Sequence, residues 1–171
     1  MRMDKLNESM LLSYDLASGK DFEAIYDLYM DRASNPFLTY DIMDRLSFKM
    51  IYDELLSTRT LYIVSFNNEI AGSYRLIRKT HRQAGTAYIG GFVVKDSFKG
   101  KGLGTKILLH IKNESLINGI KRLELTVDLQ NESAINLYKK VGFEIEGIVR
   151  MSYKIIPSDK YFDEYLMSLI L

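Results

Sequence analysis

Phe92–Leu109 reads FVVKDSFKGKGLGTKILL, and the interpretation of the remaining chain depends on this stretch. Its first residues are β-branched or aromatic and predict a strand end, while the apolar spacing from Leu103 onward predicts an amphipathic helix. Between them lies a glycine-rich loop. Glycine lets the backbone turn tightly, and the N–H groups and positive dipole of a helix N-terminus attract phosphate. Lys99 and Lys101 add positive charge, so the stretch predicts a site for a phosphate-bearing cofactor.

The glycine spacing excludes two common phosphate-binding motifs. No Gly-Lys-Ser/Thr follows at the spacing of a P-loop. Gly100, Gly102 and Gly104 also lack the G-x-G-x-x-G spacing of dinucleotide-binding folds. A nucleotide kinase or a dehydrogenase is therefore disfavoured. For this segment taken alone, a flexible surface turn before an ordinary helix remains the alternative.

Val94–Gly104 resembles the pyrophosphate loop of the GNAT N-acetyltransferases, in which a strand ending in V-x-P precedes Q/R-x-x-G-x-G/A. Lys99 replaces the usual Gln or Arg, and Asp96 stands where proline is common, but neither change removes a backbone donor. A second signature of that family, N-x-x-A-x-x-x-Y-x-x-x-G-F, is matched from Asn131 to Phe143. With the elements around them, the two signatures extend the resemblance over nearly the whole chain.

Composition indicates one globular domain over residues 1–171. The length allows a sizeable core, and 47% hydrophobic with 26% charged residues is not the composition of a disordered chain. A net charge of +1 favours neither nucleic acid nor a membrane as partner. The sequence has no cysteine and only His81 and His110, both expected at the surface, so we predict no metal site. Neither a signal segment nor a membrane span is recognisable, and we expect a cytoplasmic protein.

Residue periodicity predicts an α/β fold with the order β-α-α-β-β-β-α-β-α-β-β around a mixed sheet. The resemblance implies the GNAT form of that fold, with a mostly antiparallel central sheet flanked by helices. The predicted strands are Met10–Leu16, Leu61–Phe66, Ile70–Ile77, Thr86–Val94, Arg122–Asp128, Phe143–Ile155 and Tyr161–Leu171. The predicted helices run from Ser18 or Gly19 through Tyr29, over Asp44–Leu56, from the glycine loop to Gly119, and from Asn131 to Gly142.

Gly90 and Gly91 lie inside the strand that leads to the glycine loop. Glycine within a strand marks either a bulge or a simple weakening near the strand end. The resemblance favours the bulge, because in GNAT proteins this strand separates from its neighbour. It further implies that Phe92, Val93 and Val94 bond to the pantetheine arm of CoA.

The resemblance implies transfer of an acetyl group from acetyl-CoA to a primary amine by direct attack, without a covalent enzyme intermediate. Such a reaction needs donors for the oxyanion and a proton for the leaving thiolate. Tyr138 matches the family tyrosine that faces the CoA sulfur and is the predicted general acid. The alternative is a packed core tyrosine on an apolar helix stripe. A backbone N–H near Val93 or Val94 is predicted to polarise the thioester carbonyl.

Twelve residues are assigned to acetyl-CoA by the resemblance, and Asn131 among them is also a good helix N-cap. They are Phe92, Val93, Val94, Lys99, Gly100, Lys101, Gly102, Leu103, Gly104, Thr105, Asn131 and Ala134.

No general base is evident on the strand before the glycine loop, where Tyr88 occupies the place of a glutamate found in some relatives. Glu124 and Asp128 share a face of the next strand; we interpret them as solvated positions rather than as a water relay. Without a carboxylate, a low-pKa amine such as an α-amino group is expected to react in preference to polyamines or lysine.

The acceptor cleft is expected to be bordered by residues 35–40, Tyr88 and Ser158–Tyr161, whose aromatic and acidic residues would suit a cationic amine. The acceptor itself, a small molecule or a peptide N-terminus, is left open, and so is a homodimer. A non-catalytic acyl-CoA sensor on the same fold is the alternative function.

Overall fold

A computed structural model describes residues 11–38, 40–156 and 158–171. In these ranges the order β1-α1-α2-β2-β3-β4-α3-β5-α4-β6-β7 is the predicted one. The strands are β1 Leu12–Leu16, β2 Leu61–Phe66, β3 Glu69–Arg78, β4 Thr86–Val94, β5 Arg122–Asp128, β6 Glu144–Lys154 and β7 Tyr161–Ile170. The helices are α1 Phe22–Tyr29, α2 Arg45–Ser57, α3 Leu103–Ile117 and α4 Glu132–Val141. Met10, the predicted start of the first strand, lies outside the described residues.

The strands form one seven-stranded sheet in the order β1-β2-β3-β4-β5-β7-β6. Every neighbouring pair is antiparallel except β4 and β5, which run parallel and are joined by the crossover through α3. The prediction of a mixed, mostly antiparallel sheet is confirmed. No helix within the described ranges combines the length and apolar character that a membrane crossing requires.

Each face of the sheet carries its own hydrophobic core. On β2, Ile63 belongs to the core formed with α1 and α2, whereas Val64 belongs to the core formed with α3 and α4. Successive side chains of a strand point to opposite faces, so the two helix pairs cover opposite sides of the sheet. Leu123, Leu125 and Val127 of β5 all face α3 and α4. The alternation of apolar and polar residues in β5 therefore predicts correctly that these three apolar side chains are buried on one face.

The predicted helix ends are confirmed at three positions. The side chain of Asn131 caps α4 by accepting a hydrogen bond from the backbone N–H of Ala134 at 3.2 Å. Gly142 follows that helix with φ of +108°, and Gly119 follows α3 with φ of +76°. Both glycines adopt the left-handed conformation in which a helix commonly ends.

Strand β4 bulges at Gly91, which is the alternative that the family resemblance favours. Ser73 of β3 pairs with Val93 and Arg75 pairs with Gly90, so one residue of β3 faces two residues of β4. Gly91 has φ of +55°, and a Cβ atom there would lie 2.9 Å from the hydroxyl oxygen of Tyr29. Both the conformation and the lack of space require glycine at this position.

Strands β4 and β5 separate after the first three residue pairs of their ladder. Their ladder joins only Thr86–Tyr88 of β4 to residues 122–124 of β5, and the backbone from Ile89 to Val94 has no partner in β5. The sheet therefore contains a wedge-shaped gap beside the bulge. This is the separation that the resemblance implies.

Candidate active site

A cleft of about 610 Å³ occupies the gap between β4 and β5. We call it the splay cleft. Its walls come from β4, the glycine loop, the start of α3, the end of β5 and the inner face of α4. It holds Tyr138 and all the residues assigned to acetyl-CoA except Lys101, namely Phe92, Val93, Val94, Lys99, Gly100, Gly102, Leu103, Gly104, Thr105, Asn131 and Ala134.

The glycine loop presents unbonded backbone donors to this cleft. Lys106 is the first residue of α3 whose N–H is bonded, to the carbonyl of Gly102 at 3.2 Å, and within the described residues the N–H groups from Gly100 to Thr105 donate no hydrogen bond. Gly100 and Gly102 have φ of +73° and +76°, and no atom lies within 4 Å of a Cβ built at either. Open space, free donors and a helix N-terminus together fit a phosphate group.

The two loop lysines differ in their positions. The Lys99 ammonium donates to the Ser34 hydroxyl at 3.1 Å and lies 3.2 Å from the Asp96 carboxylate, and its side chain lines the cleft. The Lys101 ammonium instead donates to the carbonyl of Ser97 at 2.9 Å and is not among the lining groups. Of the two predicted charges, only that of Lys99 is presented to the cleft.

Close packing between α3 and α4 shapes the cleft floor. A Cβ atom at Gly104 would lie 2.9 Å from a methyl carbon of Leu137 and 3.8 Å from one of Val94. Glycine therefore permits the two helices to approach at this point. Beside it, Asn131 and Ala134 bring the first turn of α4 to the cleft wall.

Tyr138 is both a core residue and a cleft residue. Its side chain is 6% exposed and meets the rings of Phe92 and Phe143 at centroid distances of 6.1 and 5.9 Å. It also lines the cleft. Burial raises its pKa well above the usual value, and Tyr88 nearby adds to that effect. At neutral pH the hydroxyl keeps its proton and is available as a donor.

The opposite face of β5 forms the second side of the cleft. Glu124, Thr126 and Asp128 alternate with the core residues of β5 and therefore face the α1 and α2 side of the sheet. Tyr88 joins them, because its hydroxyl is hydrogen-bonded to that of Thr126 at 2.9 Å. The cleft thus opens to both faces of the sheet, with Tyr138 on one face and Tyr88, Thr126 and Asp128 on the other, whereas Glu124 is not among its lining residues.

The interpretation of Glu124 and Asp128 as solvated positions is wrong. Glu124 is 8% exposed and forms ion pairs with Lys79 and Arg122. Asp128 is 6% exposed, lines the cleft, and accepts hydrogen bonds from the backbone N–H of Gln130 and from a tyrosine hydroxyl of β6. A carboxylate therefore lines the cleft, and the expected preference for low-pKa amines loses its basis.

Glu164 is a second carboxylate at the cleft, and no motif of the sequence predicts it there. It lies directly opposite Asp128 in the pairing of β5 with β7, lines the cleft, and accepts a hydrogen bond from the Ser152 hydroxyl. The only available signal was its position in a predicted strand. Without the register of β7 on β5, nothing in the sequence relates it to the cleft.

Only some of the residues expected to border the acceptor cleft line the splay cleft. Phe37, Leu38 and Tyr88 line it, whereas within the described residues Tyr40 and Ser158–Tyr161 do not. Thr39, a residue of the same predicted border, lies outside the described residues.

The two histidines lie away from the cleft. His81 is exposed in a turn, as predicted. His110 is partly exposed, as a surface position allows, and stacks on Tyr14 with ring centroids 3.5 Å apart. Burial lowers the pKa of His110. In the part of the chain described, no three His, Cys, Asp or Glu side chains are grouped to hold a metal ion.

A sequence model described as "Acetyltransferase (GNAT) family" matches residues 22–143, which include the glycine loop and the α4 signature. The chain belongs to the GNAT family. The resemblance inferred from the two signatures is thereby confirmed, and the elements that carry them are the ones that enclose the splay cleft.

Named GNAT relatives include the spermidine N(1)-acetyltransferase of Escherichia coli K12, 27% identical over 113 residues, a match that covers 66% of this chain and 58% of the relative. The N-alpha-acetyltransferase 50 of Danio rerio is 33% identical over 113 residues, covering 64% of this chain and 67% of that protein. This chain thus matches less than two thirds of the length of the spermidine enzyme.

Solved structures support the GNAT fold. A spermidine N-acetyltransferase from Vibrio cholerae, solved with CoA and spermine, superposes with a TM-score of 0.78 over 93% of this chain and 95% of that one, at 19% identity. A GNAT acetyltransferase from Streptococcus pneumoniae gives 0.72 over 94% and 99%, at 24% identity. At such identities the likeness establishes the architecture, and the roles of individual residues stay predictions.

Proposed function

We propose that this chain is an N-acetyltransferase that transfers the acetyl group of acetyl-CoA to a primary amine, with Tyr138 as general acid. One observation carries the proposal: a single cleft joins the free N–H groups of the glycine loop to the Tyr138 hydroxyl and opens to both faces of the sheet. Two substrates that enter from opposite faces can meet in such a cleft. GNAT membership and the printed names of the relatives support the same activity.

Each part of the cleft has a chemical role in this proposal. The N–H groups from Gly100 to Thr105 and the ammonium of Lys99 bind the pyrophosphate. The β4 backbone from Ile89 to Val94 pairs with β3 around the bulge but not with β5, and on its β5 side it offers strand-like hydrogen bonds to an extended arm of the substrate. One N–H of this segment, near Val93, donates to the thioester carbonyl and stabilises the oxyanion.

Tyr138 completes the reaction at the leaving group. The neutral amine attacks the carbonyl carbon, and the carbon–sulfur bond then breaks. Because burial raises the pKa of Tyr138, its hydroxyl is a neutral donor that gives its proton to the departing sulfur. No residue of the chain forms a covalent bond to the acetyl group.

The names of the relatives are compatible with both a polyamine and a peptide N-terminus as the amine substrate. One is named for spermidine and another for an α-amino group, so the panel of acceptors should contain polyamines and peptides with free N-termini.

The proposal is tested by acetyl-CoA binding, measured by calorimetry, and by thiol release with the amine panel. Gly102→Leu places a side chain in the open space of the loop and should abolish binding. Gly119→Leu is the matched control, since Gly119 has the same φ of +76° and equally open surroundings at the far end of α3. It should lose similar stability but retain acetyl-CoA affinity.

Two outcomes would contradict the proposal. Unchanged acetyl-CoA affinity in a folded Gly102→Leu protein would remove the phosphate assignment. Tight acetyl-CoA binding without thiol release for any amine would favour the acyl-CoA sensor instead.

A further inference from the structure

We infer that Asp128 and Glu164 form a paired carboxylate site that holds the acceptor as an alkylammonium ion and takes its proton. The acceptor class that follows is a strongly basic primary amine, the reverse of the preference expected from the sequence. The inference rests on the proposed acetyl transfer. It adds which residues take the proton of the amine, and it adds that the amine binds in its positively charged form.

The two carboxylates are placed together by the strand register. Asp128 and Glu164 are directly opposite each other in the antiparallel pair β5–β7, and both line the splay cleft. Side chains in such positions share one face of the sheet with Cβ atoms about 5 Å apart, and like charges there are destabilising. A cation between the two carboxylates removes that repulsion.

Neighbouring groups orient both carboxylates without neutralising them. Asp128 accepts from the N–H of Gln130 at 2.6 Å and from the Tyr153 hydroxyl, and Glu164 accepts from the Ser152 hydroxyl. An ionised carboxylate has about four acceptor sites, so each keeps room for an ammonium group. Within the described residues neither carboxylate has an ion-pair partner.

A distortion of β6 supplies these supporting hydroxyls. The pairing of β6 with β7 shifts between Val149 and Tyr153, and Met151 within that bulge has φ of +52°. A side chain other than glycine is strained in this conformation. The bulge directs Ser152 and Tyr153 to the carboxylate pair, and such re-aiming of side chains is a common role of bulges beside active sites.

The carboxylate pair and Tyr138 lie on different faces of the sheet and meet only through the cleft. This separation fits a reaction in which one group takes a proton from the amine and another gives a proton to the sulfur. One carboxylate accepts the ammonium proton and later releases it to water. Tyr138 protonates the sulfur and recovers a proton from the nitrogen as the amide forms, so the overall reaction releases one proton.

Binding of the amine as an ammonium ion affects how the reaction rate depends on pH. An amine with a pKa near ~10.4 is neutral in only about one part in 10³ at pH 7. If the ammonium ion binds to ionised carboxylates and is deprotonated there, kcat/KM does not depend on the neutral fraction in solution. Other titratable or charged residues that line the same cleft are Tyr88 from β4, Lys99 from the loop, and Tyr138 and Lys140 from α4, and Tyr153 from β6 donates directly to Asp128.

The test is the pH profile of kcat/KM between pH 6.5 and about 9, with spermidine and a lysine-free peptide with an N-terminal alanine as probes. The wild-type profile for spermidine should be nearly flat, and spermidine should be preferred at pH 7. Asp128→Asn and Glu164→Gln should each lower kcat/KM for spermidine at pH 7 by at least about tenfold, and the double variant by about 10²-fold or more. In the double variant the remaining activity should rise about tenfold per pH unit.

Asp159→Asn is the matched control. Its side chain is 97% exposed in the β6–β7 connection, so it removes one negative charge from the same hairpin without entering the cleft. We expect wild-type kinetics. Acetyl-CoA affinity should be unchanged in all variants, which separates this site from the phosphate loop.

Three results would overturn the inference while leaving acetyl transfer standing. One is a double variant whose pH profile superimposes on the wild-type profile. Another is faster acetylation of the peptide than of spermidine by the wild type at pH 7. The third is a protein that acetylates the peptide but not spermidine. Failure of acetyl-CoA to bind would instead reject the proposed function, and this inference with it.

Discussion

Replacing Gly91 by alanine tests the reasoning about the β4 bulge. At φ of +55° an L residue is strained, and its Cβ would stand 2.9 Å from the hydroxyl oxygen of Tyr29. Tyr29 is 1% exposed and packs against the rings of Tyr40 and Phe48, so it has little room to retreat. The bulge should therefore resist even one added methyl group.

The expected loss of stability follows from three contributions. The left-handed conformation costs about 1–2 kcal/mol for an alanine, and overpacking a core costs about 1–3 kcal/mol. The lower entropy of the unfolded alanine chain offsets about 0.4–1 kcal/mol. We expect Gly91→Ala to lower the free energy of unfolding by about 2–4 kcal/mol, which for a chain of this length corresponds to a Tm decrease on the order of 5–15 °C.

Urea denaturation of Gly91→Ala, Tyr29→Phe and the double variant separates the contact from the strain. The Tyr29 hydroxyl is buried and has no hydrogen-bond partner among the described residues, so Tyr29→Phe alone should be neutral or stabilising. In the double variant the contact disappears and only the backbone strain remains. Gly19→Ala is the control: nothing lies within 4 Å of its Cβ position and its φ is not in the left-handed region, so it should change stability by less than about 0.5 kcal/mol.

Two results would refute this reasoning. A Gly91→Ala protein as stable as Gly19→Ala would show that the bulge tolerates a side chain. Equal losses in Gly91→Ala and in the double variant would show that the Tyr29 contact contributes nothing.

Two further predictions concern Tyr138 and His110. Tyr138→Phe keeps the packed ring, so kcat should fall by about 10²-fold or more while the Kd of acetyl-CoA stays within about twofold; an unchanged kcat in thiol-release assays would leave Tyr138 with a packing role only. Because burial lowers the pKa of His110 in the fold, the unfolded chain binds its proton more readily, and stability should fall as pH drops below about 6.5, the unfolded value. The urea midpoint should therefore change less between pH 7.5 and pH 5 in His110→Gln than in the wild type. An equal change in the two proteins would contradict a lowered pKa of His110 in the fold.

Features that depend on local sequence could be predicted. The glycine loop, the Asn131 cap and the terminal glycines of the helices each reflect backbone geometry within a few residues, and the structure reproduces them. The glycine pair in β4 is compatible with either a bulge or a weakened strand end, and it is the family resemblance that favours the bulge found at Gly91. The residues assigned to acetyl-CoA come instead from the family resemblance that the two signatures carry, and their roles stay predictions.

Features that depend on strand register could not be predicted. Asp128 appears solvated in the sequence because it is one of the polar residues that alternate along β5, yet it is only 6% exposed beside β7 and the β6 bulge. Glu164 became a candidate only when its partner across the sheet was known. The stacking of His110 on Tyr14, a residue of the distant strand β1, likewise has no signal in the local sequence.

The short ladder between β4 and β5 has a consequence for how the molecule holds together. Three residue pairs join these strands, against seven between β5 and β7. The backbone pairing between strands β1–β4 and strands β5–β7 is therefore limited to Thr86–Tyr88 and their partners, while the core beneath α3 and α4 spans both groups of strands. An extended molecule lying in the gap and bonded to the β4 backbone would take the place of a missing strand. A molecule that occupies the cleft would then also hold strands β1–β4 and strands β5–β7 together.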